Sequence, residues 1–548
     1  LNALASRIAS NSSVRAFLVV LPALACFCFD LFNRQADISA QVGLHLAGGQ
    51  LVQEKLLPYV DFWDWSQPVV YWLFSGPFFV NQLVEKIPYY FAPQMTFKAA
   101  IFLLTLFSLC LSLYILFLAA RWADDNQSSQ SIKDELQSLF VPLSTAYVLA
   151  LFCTRFEFGD LQELFMLTFL PWLIVRWLKH HIGVNFNNWL LFAIGTFMGF
   201  GAILDLPHLP IVVALEFFFI LAYGRWRPDF SILALSLFSI IDLTYLFFLP
   251  QSLSRVFWHW TMPIRARQFM RFDSTIGAYT GSPDRRDALY LLVGAVFLGL
   301  LLQVKQDFLR PLVVLGLIGF ALYVGEGDGF SSGLIITIWS SCFIFAVSLP
   351  QILQLKKVQS FSKYGALVAA VMLLVFSTAF QFVLGKDQET VRVSALRLKE
   401  AGGRDIFDVV NQFSQVGEKV MVLADYPAPI YPLLFYLDRR QGSYMLWSRP
   451  LRIFTALNHL NCMTDDMRSF QSFVYDGLAK QIKSRVSPLI LVSRNETSEM
   501  IARSVLMPII ESGYKFSGQC VYCSDPNKEP VEHCGYDQRF DIYIRRSP

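Results

Sequence analysis

Charge is scarce in this sequence. Only 16% of its 548 residues are Asp, Glu, Lys or Arg, against about 25% in an ordinary soluble domain. The sequence also lacks a GxxxxGK[ST] phosphate loop, a GxGxxG dinucleotide fingerprint and a catalytic Ser elbow. Their absence argues against P-loop nucleotide hydrolysis, Rossmann-type oxidoreduction and α/β-hydrolase chemistry. There are no heptads, tandem repeats or low-complexity tracts, which argues against coiled coils and solenoids. What is abundant is apolar: 55% of residues are hydrophobic and 51 are Phe, with a mean hydropathy of +0.45. Uncharged apolar runs of roughly 17–20 residues recur along the first 385 positions, the length that crosses a bilayer as a helix.

These runs predict eleven spans near 16–33, 97–120, 139–154, 161–178, 189–205, 209–224, 231–250, 288–304, 311–325, 333–350 and 364–384. Arg7 and Arg15 precede the first run, and no small-residue cleavage site follows it, so it reads as a retained span and not a signal peptide. With the N-terminus cytoplasmic, alternate loops collect Arg121, then Arg176, Lys179, His180 and His181, then Arg225 and Arg227, then Lys305 and Arg310, then Lys356, Lys357 and Lys363. The short opposite loops carry Glu157, Asp160, Asp205, Glu326 and Asp328, as the positive-inside rule requires. An odd span count places the chain after Lys386 outside. The expected fold class is therefore an α-helical polytopic membrane protein with a C-terminal extracytoplasmic α/β domain. The membrane domain runs over 1–384 and the outer domain over 385–548. Short β runs at Lys419–Ala424, Pro488–Ser493 and Phe540–Ile544 mark the latter. Residues 122–137 read as a polar cytoplasmic loop. Glu216 and Asp242 fall inside spans, where an unpaired charge costs roughly 2.5–3.5 kcal/mol, so each needs an internal partner or a proton.

Two outer loops are long, 34–96 and 251–287. The second carries Arg255, Arg265, Arg267, Arg271, Arg285 and Arg286 against the charge rule, and an anionic ligand would account for them. In the first, Ile38, Val42 and Leu46 form one stripe, with Asp37, Gln41 and His45 beside it. This predicts a helix lying on the membrane surface that ends near Gly48 and Gly49. A dense aromatic–acidic loop follows, Pro58-Tyr59-Val60-Asp61-Phe62-Trp63-Asp64, and Pro68 is placed to start another helix.

An Asp after the first span, a Gly-containing turn and a P-Y-x-D-F-W-D-x-x-x-P segment resemble the GT-C superfamily of membrane glycosyltransferases. The similarity is greatest to bacterial relatives of protein mannosyltransferases and aminoarabinose transferases. The segment Phe158-Gly159-Asp160-Leu161-Gln162-Glu163-Leu164, with Pro171 after it, is similar to an F-G-Q-R-E-H-L…P stretch of some members. Leu206-Pro207-His208-Leu209, with Glu216 downstream, is similar to their K-P-H-F…L-E stretch. The run Val420–Leu423 followed by Pro427-Ala428-Pro429-Ile430-Tyr431-Pro432 is similar to their outer domain. Two departures stand out. Ile38 follows Asp37 where many relatives have Glu, and Gln67 precedes Pro68 where many have Lys. The missing Lys would have touched phosphate.

The resemblance implies inverting transfer of a sugar from a polyprenyl-phosphate carrier to a glycan, lipid or protein acceptor on the outer face of a bacterial cell (inner) membrane. Inversion needs a general base on the acceptor. The phosphate leaves as a stable anion and calls for preorganised cations more than for an acid. Asp37 is the candidate base; as a plain structural feature it would be an acidic residue at a helix start. Asp61 and Asp64 are candidates to orient the acceptor or hold a divalent cation such as Mg or Mn, although no cofactor is required; otherwise they form turns. Arg255, Arg265, Arg267 and Arg271 are candidate donor-phosphate ligands or contacts to anionic headgroups. Glu157, Asp160, Glu163 and His208 are a candidate second shell, or solvated loop charges.

Membrane lipids are expected partners and nucleic acid is not. Cys462, Cys520, Cys523 and Cys534, with His533, are read as disulfide partners in an oxidising compartment, with zinc ligation or reduced thiols as alternatives. Cys153 and Cys342 are read as packing residues. Two rival functions remain open. One is a transporter or flippase of lipid-linked glycan, although no inverted repeat is evident. The other is a non-catalytic glycolipid-binding scaffold, which the loss of Lys at Gln67 keeps in view.

Overall fold

Apolar runs become helices wherever the computed structural model describes them. Described residues are 21–28, 38–84, 93–125, 130–205, 207–248, 254–263, 283–302, 306–326, 331–353, 406–424, 430–459, 462–494, 504–522 and 538–546, with single positions 250, 427 and 501. In chain order the helices are α1 (Ala40–Gln53), α2 (Pro68–Val84), α3 (Pro93–Asp125), α4 (Gln130–Ser138), α5 (Phe140–Cys153), α6 (Leu161–His181), α7 (Asn188–Ala202), α8 (His208–Tyr223) and α9 (Phe230–Phe248). A π-helical turn, Val256–Thr261, follows, and then α10 (Pro283–Leu302), α11 (Leu309–Glu326) and α12 (Ile335–Leu353).

Four segments among the described residues are long and apolar enough to cross a membrane: Pro93–Asp125, Ile132–Cys153, Leu161–His181 and Phe230–Phe248. Five shorter apolar helices accompany them. This is a helical membrane protein. The predicted eleventh span, 364–384, and most of the first lie outside the described residues. One expectation fails: of the supposed polar loop 122–137, residues 122–125 continue α3 and residues 130–137 lie in α4. Their stripe Ile132, Glu135 and Leu136 is half-buried to buried, which the high share of polar residues conceals.

The chain divides into two compact units. One comprises Leu1–Gln35, Gln94–Phe247 and Gln268–Gln381; the other comprises Ala36–Pro93, Phe248–Arg267 and Phe382–Pro548. The first outer loop and the start of the Arg-rich loop therefore belong with the C-terminal residues, a division that differs from a single cut at 385.

In the first unit α6 is central: 94% of its span is buried, against 28% for Phe230–Phe248. A helix apolar on every side is expected to be surrounded by protein or lipid, and here protein surrounds it. Its Arg176 is fully buried and grips Glu216 through Nε (2.5 Å) and Nη2 (2.7 Å), and Asp229 through Nη1 (2.9 Å). Glu216 thus has the internal partner its position demands. Within the bundle Tyr147 Oη bonds Ser108 (2.8 Å) and Ser112 (3.0 Å) between helices α5 and α3.

In the second unit α1 and α2 lie backbone to backbone. A Cβ on Gly48 would enter the Tyr71 ring, and one on Gly49 would strike the Phe74 backbone. The two glycines therefore permit close helix packing in the middle of α1. They do not end it, contrary to what the periodicity predicts. Both stripes of α1 are covered: Val42, Leu46 and His45 are all buried.

The C-terminal part of this unit continues with α13 (Ile406–Phe413), β1 (Lys419–Leu423), α14 (Ile430–Tyr436), β2 (Arg440–Gln441), α15 (Arg449–His459), α16 (Asp465–Ser484), β3 (Leu489–Ser493), α17 (Leu506–Gly513), β4 (Tyr514–Tyr522) and β5 (Gln538–Arg545). The sheet order is β2-β1-β3-β5-β4. The β1 strand pairs in parallel with β2 and β3, while β5 runs antiparallel to β3 and β4. Every residue of β3 is buried, as befits an uninterrupted apolar strand covered on both faces. The three predicted β runs are present; β2 and β4 are additional.

Candidate functional site

The P-Y-x-D-F-W-D segment is held on all sides within the second unit. Trp63 N donates to Tyr444 O (2.7 Å) and Leu446 N donates to Trp63 O (3.1 Å), so residues 63 and 444–446 run together like a short ladder. Trp63 Nε1 donates to Thr261 Oγ1 (3.2 Å), which ties in the π-helical turn. Tyr59 has φ +64°, a conformation that costs a non-glycine residue roughly 1–2 kcal/mol. Three contacts hold it there. Its N–H donates to Phe62 O (2.6 Å), its hydroxyl donates to Ser66 O (2.5 Å), and its carbonyl accepts from Tyr444 Oη (3.0 Å).

Asp64 is the centre of this arrangement and is 1% exposed. Its Oδ1 accepts from Trp447 Nε1 at 2.7 Å. Its Oδ2 accepts from Ser66 Oγ at 2.8 Å and from the Tyr71 hydroxyl. Ser66 Oγ in turn shares a 3.2 Å hydrogen bond with His45 Nε2. Since Ser66 gives its proton to Asp64, it is not poised as a nucleophile. Burial, and then the Asp64 charge, hold the Tyr71 phenol well above its usual range. Burial, and then Asp61, do the same to Tyr444. These groups are therefore neutral hydrogen-bond donors. Asp61 is exposed, and its Oδ2 accepts from Leu57 N at 2.9 Å, closing the turn 57–61.

Arg255 is exposed at the head of the π-helical turn, with its guanidinium 6.0 Å from the Trp260 ring. The structure thus brings Asp61, Asp64 and Arg255 into one unit. Asp37, Arg265, Arg267 and Arg271 lie outside the described residues. The nearest described feature to Asp37 in sequence is the cap of α1, where Ser39 Oγ accepts from Val42 N at 3.2 Å.

The second-shell candidates gather in the first unit, at the start of α6. Asp160 caps the helix, accepting from Gln162 N at 3.0 Å. Glu163 is completely buried; its Oε2 accepts from Gly159 N (2.6 Å) and its Oε1 from Thr154 Oγ1 (3.2 Å). Gly159 has φ +88°, and a side chain there would collide with Phe97. Burial, then the charges of Glu157 and Asp205, raise the Asp160 carboxyl to about 8, although its bond to Gln162 opposes the shift. His208 stacks on Phe165 at 4.2 Å and its Nδ1 lies 3.1 Å from Gly201 O. Asp160, Glu163 and His208 are thus buried groups and not solvated loop charges.

Cys520 is buried on β4 and Cys462 is exposed, while Cys523 and Cys534 lie outside the described residues. Among the described residues no three His, Cys, Asp or Glu side chains converge to hold a metal ion. The residues that sequence reasoning misses are Ser66, Tyr71, Tyr444 and Trp447. The first two are near the motif in sequence, but Trp447 is 383 positions from its partner.

No family model, no curated protein and no solved structure matches this chain.

Proposed function

We propose that the chain is an inverting membrane glycosyltransferase, carrying a sugar from a polyprenyl-phosphate donor to an envelope acceptor on the outer face of the membrane. In this reading eleven helices span a bacterial cell membrane and the C-terminal α/β domain lies outside. One observation carries the proposal: the P-Y-x-D-F-W-D segment, the turn bearing Arg255 and the Tyr444–Trp447 segment belong to one hydrogen-bonded unit. Such a scaffold supplies the fixed geometry that a general base and a phosphate-binding cation need. Asp37 takes the acceptor proton. Arg255, with Arg265, Arg267 and Arg271, neutralises the departing phosphate. Asp64 positions the loop and does not itself react, because Trp447, Ser66 and Tyr71 use its oxygens.

The test is transfer of a labelled sugar from a polyprenyl phosphate by the purified full chain, with Asp37→Asn as the comparison. Turnover that is unchanged in the variant removes Asp37 from the mechanism, and no transfer to any envelope fraction removes the reaction.

Gln67 favours a second reading, a non-catalytic glycolipid-binding scaffold. A neutral amide stands there where a phosphate-neutralising Lys would serve transfer. Binding of lipid-phosphate sugar without turnover, with acceptor present, would support that reading.

A further inference from the structure

Helix α2 is largely apolar on both of its faces. Its sequence, PVVYWLFSGPFFVNQLV, contains no Asp, Glu, Lys or Arg. One face is spent on the protein: Val70, Tyr71, Phe74, Phe78 and Asn81 recur at helical spacing and are all buried. The opposite face carries Trp72 (52% exposed), Phe79 (57%), Val80 (42%) and Leu83 (56%). A Cβ added at Gly76, in the middle of that face, would meet no neighbouring atom among the described residues. The outward face of a helix packed on a water-soluble domain is ordinarily polar. A contiguous apolar patch of this kind marks a contact surface.

Two features say what the contact is. Only eight residues, 85–92, separate α2 from α3, which is long and apolar enough to cross the bilayer. So short a tether keeps α2 at the membrane. In addition, 17 residues make a helix of about 25 Å at 1.5 Å per residue, short of the roughly 30 Å hydrocarbon core. Its inner face packs against α1, and Tyr71 is bonded to the buried carboxylate of Asp64. That side cannot turn to lipid. A helix greasy outward and domain-bound inward suits the boundary layer of a bilayer, with Trp72 at headgroup depth.

We infer that α2 lies in the boundary layer of the membrane, with Trp72, Phe79, Val80 and Leu83 against lipid acyl chains, and anchors the loop-plus-C-terminal unit to the bilayer surface. In the orientation proposed above, that surface is the outer leaflet. The sequence pattern predicts a surface helix at α1; the structure buries α1 and presents α2 instead. The inference does not depend on which reaction the chain performs.

The test is photocrosslinking of the full chain in phospholipid nanodiscs. p-Benzoylphenylalanine replaces Phe79 or Leu83, both exposed, in protein that still elutes as a single species, and replaces Ser469, exposed on α16, as the control. The expected result is an adduct heavier by one phospholipid at positions 79 and 83 and none at 469. A chain-to-chain crosslink at 79 would assign the face to a second copy and overturn the proposal. Consumption of the benzophenone at 79 and 83 with no lipid adduct would overturn it as well.

Discussion

Trp447 Nε1 donates a 2.7 Å hydrogen bond to Asp64 Oδ1, joining residues 383 positions apart. With Tyr71 and Ser66 on the other oxygen, a buried carboxylate is satisfied entirely by protein donors. The partners that hold Asp64 in place are the ones that fasten the first outer loop to the C-terminal part of the same unit.

Removing one donor should be costly. A hydrogen bond to a charged group contributes roughly 1.5–3 kcal/mol, so Trp447→Phe should destabilise by about that amount. Asp64→Asn should cost at least as much, because its amide NH2 would face donors. In a double-mutant cycle read by thermal unfolding, the two changes should be strongly non-additive. Additive effects would mean that the bond contributes little.

Arg176 makes a second buried knot. It holds Glu216 and Asp229, and Lys179 reaches Asp229 at 2.8 Å. Burial alone would raise the Asp229 carboxyl, but Arg176 and Lys179 outweigh it and hold it below its usual range. Breaking a buried pair from one side costs about 3–5 kcal/mol. Arg176→Gln should therefore lose most of the folded protein, seen as a low melting temperature or low yield in detergent. Adding Glu216→Gln should restore part of it. Arg176→Lys should rescue poorly, since a single ammonium cannot make the two-point contact to Glu216.

The apolar helices are legible in the sequence because long apolar runs favour helices in a membrane, and nine of the predicted runs are helices among the described residues, four of them long enough to cross. The loops are less legible. Gly48-Gly49 resembles a stop because glycine disfavours helices, yet close packing against Tyr71 and Phe74 outweighs that preference. Strand β4 is hidden because a bulge between Phe516 and Gly518 breaks its alternation. The Asp64 loop is recognisable as a dense acidic–aromatic patch, but no local pattern points to Trp447. Arg176 reads as a loop cation because its partners, Glu216 and Asp229, are 40 and 53 positions away.

Asp160 should make stability fall with rising pH. Its folded-state value is about 8, against 3.8 for the free side chain. The folded protein therefore holds the proton more tightly, and this contribution is fully present below about pH 4. It is lost as pH climbs toward 8. Asp160→Asn keeps a capping side chain but cannot ionise. Its stability relative to the parent should rise between pH 5 and pH 8 by on the order of 3–4 kcal/mol, since each pH unit between the two values costs the parent about 1.4 kcal/mol. Parallel melting curves for the two proteins across that range would place the Asp160 proton elsewhere.

Gln67 separates stability from function. It is 1% exposed, and neither its amide oxygen nor its nitrogen has a hydrogen-bond partner among the described residues. A buried polar group left unpaired costs about 1–3 kcal/mol, while an apolar group of the same shape escapes that penalty. Gln67→Met, close in volume, should therefore raise the melting temperature. If the amide serves a ligand, the same change should weaken binding of a polyprenyl-phosphate sugar, so that stability and affinity move in opposite directions. Gln67→Lys should destabilise the free protein by burying a charge, and added lipid phosphate should recover the loss. A Met variant that is no more stable, with unchanged binding, would show that the Gln67 amide is satisfied in solution and has no role toward ligand.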